Sequence, residues 1–145
     1  MMDESGRKPW IRAVILVGVV YFVVGMVFAA LANRALSEQV RFMWRLAAWV
    51  ASAAVYAAQI GYEHFRRNNS PRATALHAAM AVALGAFLLA VAATVHKVMV
   101  VSHAPYWRFL LALVVWPIIT AVPAFLVALT VAAVLARLPR KRSAE

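Results

Sequence analysis

The sequence predicts an all-α integral membrane protein, a four-transmembrane-helix up-down bundle with both termini on the cytoplasmic side. Hydrophobic residues make up 66% of its 145 residues and charged residues only 14%. An average soluble domain is about 45–50% apolar and about 25% charged. A soluble domain of this size could not bury so much apolar surface, because the fraction buried on folding rises slowly with chain length.

Four long apolar runs carry this prediction. A helix crosses the bilayer with about 20 predominantly apolar residues, because each residue rises about 1.5 Å through about 30 Å of hydrocarbon. Pro117 and Pro123 lie in the fourth run, where the lost backbone donors predict a bend. Short connections make successive helices antiparallel neighbours. The runs predict a single membrane domain with helices over about residues 11–33, 41–66, 71–99 and 107–137.

The first run resembles a secretory signal in part, since basic residues precede it and Ala30-Leu31-Ala32 ends it. The apolar core of a signal peptide has only about 7–15 residues. The uncharged stretch from Ala13 to Ala32 has 20. We therefore expect the first helix to be retained.

Basic residues are distributed unequally between the two sides of the predicted bundle. Four spans place both termini and the middle connection on one side, which then holds 10 of the 15 Lys and Arg residues. This excess predicts a protein of the cytoplasmic (inner or plasma) membrane with both termini in the cytoplasm. The charges flank apolar runs, so their expected partners are lipid headgroups rather than nucleic acid. The headgroup and orientation residues are Arg7, Lys8, Arg66, Arg67, Arg72, Arg140, Lys141 and Arg142.

Small residues recur along three of the predicted helices at spacings that suit close helix packing. They can serve contacts within one bundle or contacts with a second copy. On the opposite side of the membrane, an anion site at Arg34, Arg41 and Arg45 is a further alternative. The small-residue positions are Gly18, Gly25, Ala29 and Ala32, then Ala47, Ala51, Ala54, Ala58 and Gly61, then Ala81 and Gly85.

Polar residues gather where the second helix ends and the third begins. Gln59, Glu63 and Arg67 are spaced four apart and share one helix face. Ser70 is placed to cap the third helix, and Pro71 suits its first turn. Ionisable groups within a membrane are candidates for function, although an ion pair of Glu63 with Arg66 or Arg67 explains the same pattern structurally. The candidate polar site comprises Gln59, Glu63, His64, Thr74 and His77.

Three classes of function follow from these residues. The first is a non-catalytic membrane subunit, acting as a homo-oligomer or with a partner membrane protein. The second is a redox protein that binds haem b or a metal ion through His64 and His77, with Glu63 as a further metal ligand. The third is a small solute transporter or channel. No cofactor is predicted, and the chain has no Cys and no nucleophile–base pair, so an enzyme is not expected.

Overall fold

The computed structural model describes residues 9–100 and 106–137 and, within them, all side chains but those at positions 98, 100, 106, 108 and 109. This part of the chain forms four helices, with short turns between α1 and α2 and between α2 and α3, which confirms the all-helical prediction. The helices are α1 (Pro9–Asn33), α2 (Glu38–Phe65), α3 (Pro71–Val100) and α4 (Tyr106–Arg137).

Three of the four helices are long and apolar enough to cross a membrane, where the sequence predicts four. They are α1, the Pro9–Asn33 helix, the Pro71–Lys97 part of α3 and the Leu110–Arg137 part of α4. The remaining helix, α2, has 28 residues and is long enough, but it is less apolar. Arg45 near its beginning and Gln59 and Glu63 near its end lower its hydropathy.

Side-chain caps set two of the helix starts. Ser37 has an extended backbone, and its hydroxyl accepts a hydrogen bond from the Val40 N–H at 3.3 Å. For this reason α2 begins at Glu38, one turn before the predicted boundary near residue 41. The Ser70 hydroxyl likewise accepts from the Ala73 N–H at 3.3 Å, and α3 begins at Pro71. The predicted cap of the third helix is confirmed.

The helices alternate in direction, and α3 lies at the centre of the bundle. Trp10 contacts His77 and Tyr21 contacts Gly85, so α1 and α3 run parallel. Packing is most extensive between α3 and α4, and then between α1 and its two neighbours α2 and α3. The contact between α2 and α3 is smaller, although a short turn joins them. Within the described residues, α1 and α4 have no close backbone approach.

The core consists mainly of small residues, which allow the helices to approach closely. On α3 and α4 five alanines are fully buried: Ala75, Ala78, Ala81, Ala128 and Ala132. Gly18 and Gly25 of α1 lie against leucines of α3, and Gly85 of α3 lies against Tyr21. The predicted small-residue positions of α1 and α3 that these glycines occupy therefore serve contacts inside the bundle.

Candidate functional site

A buried carboxylate lies at the end of the bundle where α2 finishes and α1 and α3 begin. Glu63 is in the last turn of α2, and only 1% of its surface is exposed. A buried carboxylate is costly unless it is hydrogen-bonded or paired with opposite charge. Its partners therefore decide what this part of the molecule can do.

The α2–α3 turn supplies the first partner. Asn68 adopts a left-handed backbone with φ of 52°, which asparagine tolerates better than most residues. This reversal brings Asn69 back over the end of α2, where its side-chain amide donates to Glu63 Oε2. The Asn69 N–H also bonds the Glu63 carbonyl at 3.4 Å. The turn and the carboxylate thus hold each other in place.

The second partner comes from α3. His77 Nδ1 lies 3.2 Å from Glu63 Oε2, on a ring whose side chain is mostly buried. Both the neutral tautomer with hydrogen on Nδ1 and the imidazolium ion can donate this hydrogen bond. The contact joins residues 14 positions apart and ties α2 to α3.

Arg67 and Trp10 connect α1 to the same site. Arg67 Nη1 lies 3.7 Å from Glu63 Oε1, and Arg67 Nη2 donates to the Pro9 carbonyl at 3.0 Å. The Trp10 ring stacks on the His77 ring with centroids 5.0 Å apart and planes within 6°. Trp10, Glu63, Arg67, Asn69 and His77 are called the Glu63 cluster below. It joins the starts of α1 and α3 to the end of α2.

Gln59 and Thr74 lie beside the Glu63 cluster. Gln59 Nε2 donates to the His77 carbonyl at 3.3 Å, which adds a second link between α2 and α3. Gln59 Oε1 and the hydroxyl of the fully buried Thr74 have no hydrogen-bond partner among the described residues. Buried polar atoms are rarely left in this condition, because their lost hydration is not replaced.

His64 is the candidate that stands apart. It is buried, and its ring meets the Phe65 ring edge-on at 5.0 Å, but it forms no hydrogen bond or ion pair with Glu63 or His77. Successive residues on a helix point about 100° apart, so His64 and Glu63 face different directions. Within residues 9–100 and 106–137, no three His, Asp or Glu side chains are grouped closely enough to hold a metal ion.

The predicted headgroup residues divide into two groups. Arg67 is bound into the Glu63 cluster, whereas Arg66 and Arg72 are exposed. The others, Arg7, Lys8, Arg140, Lys141 and Arg142, lie outside the described residues.

Sequence reasoning missed two members of the cluster. Trp10 was not among the predicted site residues, because nothing local indicates its stacking on a histidine 67 positions away. Asn69 had a usable signal, because it precedes the Ser70 cap in a turn too short to reach far from Glu63.

The geometry of the Glu63 cluster suits a clamp between helices better than a reaction centre. Both carboxylate oxygens have partners, and the facing histidine ring is covered by Trp10. Comparison with known protein families, curated proteins and solved structures finds no match to this chain.

Proposed function

We propose that this chain is a non-catalytic subunit of a homo-oligomer in the cytoplasmic membrane, with four spans and both termini in the cytoplasm. Three helices have the length and hydropathy of spans. The fourth, α2, packs along α1, and Phe28 of α1 meets Trp44 of α2 with ring centroids 6.1 Å apart. A neighbour of this kind supports insertion of a helix that is only moderately apolar.

The orientation rests on the basic residues. An even number of spans places the termini and the α2–α3 turn on one side, together with 10 of the 15 Lys and Arg residues. Reporter fusions at either terminus should be active in the cytoplasm, and a reporter inserted in the α1–α2 turn should be active outside it. Termini found on opposite sides would refute the arrangement.

The observation that carries the oligomer proposal is the exposed face of α2. Between Val50 and Tyr62, the exposed residues of α2 are all alanines, and Gly61 has open space where a β-carbon would stand. The exposed faces of α1 and α4 are different, because they present Leu, Ile, Val and Met side chains. Large apolar side chains suit contact with lipid, whereas small residues on a membrane helix favour contact with another helix.

A second copy of this chain is the proposed occupant of that face. Most oligomers are homo-oligomers with twofold symmetry, in which one patch meets its own equivalent. Two α2 helices could approach closely along Ala53, Ala54, Ala57 and Ala58, which lie between the exposed side chains of Val50 and Tyr62. The Glu63 cluster supports the non-catalytic part of the proposal, since its charged groups are engaged in joining helices.

Disulfide crosslinking in native membranes tests the interface. The natural chain has no cysteine, so single cysteines report one position each. Ala57→Cys should crosslink to itself as a dimer, because equivalent residues meet across a twofold axis. Val122→Cys is the control, because Val122 is exposed on α4 at a depth similar to that of Ala57. The two depths are linked by the hydrogen bond from the hydroxyl of Tyr56, next to Ala57, to the carbonyl of Ala124, two residues after Val122.

Equal crosslinking of the two variants would indicate random collision, and no crosslinking at residue 57 would refute the homo-oligomer. A crosslinked product of Ala57→Cys with a different membrane protein would show that this face of α2 binds that protein instead of a second copy of this chain.

A further inference from the structure

A half-open groove lies between the end of α1 and the beginning of α2, at the end of the bundle opposite the Glu63 cluster. Its volume is about 320 Å³, which is at the lower limit of the about 300–1,000 Å³ typical of ligand sites. Gly25 and Ala29 form its floor on the α1 side, and the Phe28 and Trp49 rings form apolar walls. An apolar chain would fit against these surfaces.

Two polar side chains line the outer part of the groove, Asn33 and Arg45. Neither side chain forms a hydrogen bond or an ion pair with any other residue that the structure describes. Arg41, one turn before Arg45, is different because it pairs with Glu38. Arginine keeps its charge under all ordinary conditions. The groove therefore carries one uncompensated positive charge beside an amide.

In the proposed membrane insertion, Arg45 lies within reach of the lipid headgroups at the end of α1. The contact between Phe28 and Trp44 places the backbone of the next residue, Arg45, about 9 Å from the level of Asn33 at the end of α1, at about 1.5 Å per helical residue. An arginine at this depth extends its long stem outward and brings its guanidinium to the interface. Asn33 lines the same groove, whose apolar part continues along α1 as far as Gly25.

We propose that this groove binds one anionic glycerophospholipid, with its phosphate at Arg45 and Asn33 and part of an acyl chain along Gly25 and Ala29. A guanidinium presents paired donors that match two oxygens of a phosphate, and the Asn33 amide adds a further donor. The groove has no acidic side chain to meet a choline or ethanolamine group. For this reason a headgroup with net negative charge is favoured. The proposal requires membrane insertion, but it does not require the homo-oligomer.

Native mass spectrometry of the purified protein in mild detergent tests this site. The probes are phosphatidylglycerol and phosphatidylcholine, each added at the same ratio to protein. Arg45→Gln removes the charge, and Ala29→Phe fills the groove from an exposed position. Arg34→Gln is the matched control, because Arg34 is an exposed arginine at the same end that does not line the groove.

The natural chain should retain one phosphatidylglycerol and much less phosphatidylcholine. Loss of hydrogen bonds to a charged group should lower the bound fraction at least about tenfold in Arg45→Gln. Ala29→Phe should also lose the lipid, and Arg34→Gln should retain it within about twofold. Equal retention by the variants at residues 34 and 45, or equal retention of the two lipids, would overturn the proposal. The lipid count on a single chain does not depend on the crosslinking result at residue 57, so the two proposals fail separately.

Discussion

Replacing Gly85 by alanine adds one β-carbon where α3 packs against α1, and so tests how closely the two helices approach. A β-carbon at Gly85 would lie 2.6 Å from Tyr21 Cβ and 3.1 Å from the Gly18 carbonyl oxygen. Both atoms are fixed to the backbone of α1, so the clash can be relieved only by moving the two helices apart. Overpacking of this kind costs about 1–3 kcal/mol of unfolding free energy.

Gly61→Ala is the matched control for this substitution. Its new β-carbon would have nothing within 4 Å, and both variants gain about 1 kcal/mol from the higher helix propensity of alanine. The difference between the two variants therefore measures the packing cost alone. We expect Gly85→Ala to be less stable than Gly61→Ala by about 1–3 kcal/mol.

The assay is reversible unfolding by SDS in mixed micelles, followed by tryptophan fluorescence at a dilution where the chain is monomeric. Gly18→Ala and Gly25→Ala should fall between the other two, because their β-carbons would meet the side chains of Leu84 and Leu89. The outer atoms of both leucines can move by a change of rotamer, whereas Leu84 Cβ, 3.0 Å from the new atom at Gly18, and the atoms that face Gly85 cannot. Equal stability of Gly85→Ala and Gly61→Ala would refute the close approach of α1 and α3.

Three further predictions concern the polar side chains. Glu63→Ala should lower the unfolding free energy by about 1–3 kcal/mol for each of the two donors left unpaired on Asn69 and His77. Glu38→Ala removes an exposed ion pair and should cost less than about 1 kcal/mol. Similar losses of unfolding free energy for the two variants in the SDS titration would contradict the role of Glu63 as a clamp between helices. Thr74→Val should be neutral or stabilising by up to about 1 kcal/mol in the same titration, because it removes a buried hydroxyl without a partner, and a clear loss of stability would show that the hydroxyl is used. The purified protein should have no Soret absorption, and a Soret band that disappears in both His64→Ala and His77→Ala would establish haem instead.

Local signals in the sequence were sufficient for the helices and for part of the Glu63 cluster. The four helices follow from apolar runs, and the start of α3 follows from the Ser70 cap before Pro71. The spacing of Gln59, Glu63 and Arg67 by four residues places them on one helix face. Arg67 pairs with Glu63 in the Glu63 cluster, and Gln59 bonds the His77 carbonyl beside it. These features depend on residues close together in the chain, which is where sequence patterns are informative.

The remaining features depend on which helices pack together, and the sequence did not determine that. The stacking of Trp10 on His77 requires α1 to run beside α3, which is not its neighbour along the chain. Small residues occur on α1, α2 and α3, but only the packing shows that Gly18, Gly25 and Gly85 face inward, while Ala29 and several alanines of α2 are exposed. Membrane orientation and the number of spans stay predictions.

The central place of α3 has a consequence for biogenesis. During synthesis α1 and α2 emerge first. Because α4 does not pack against α1 within the described residues, α4 cannot stabilise the position of α1 later. Until α3 is inserted, Glu63 lacks its hydrogen bond from His77, and Gly18 and Tyr21 lack the surface that covers them. In the proposed membrane insertion, the α1–α2 pair therefore lacks these contacts until the third segment enters the bilayer, and the bundle cannot close before that step.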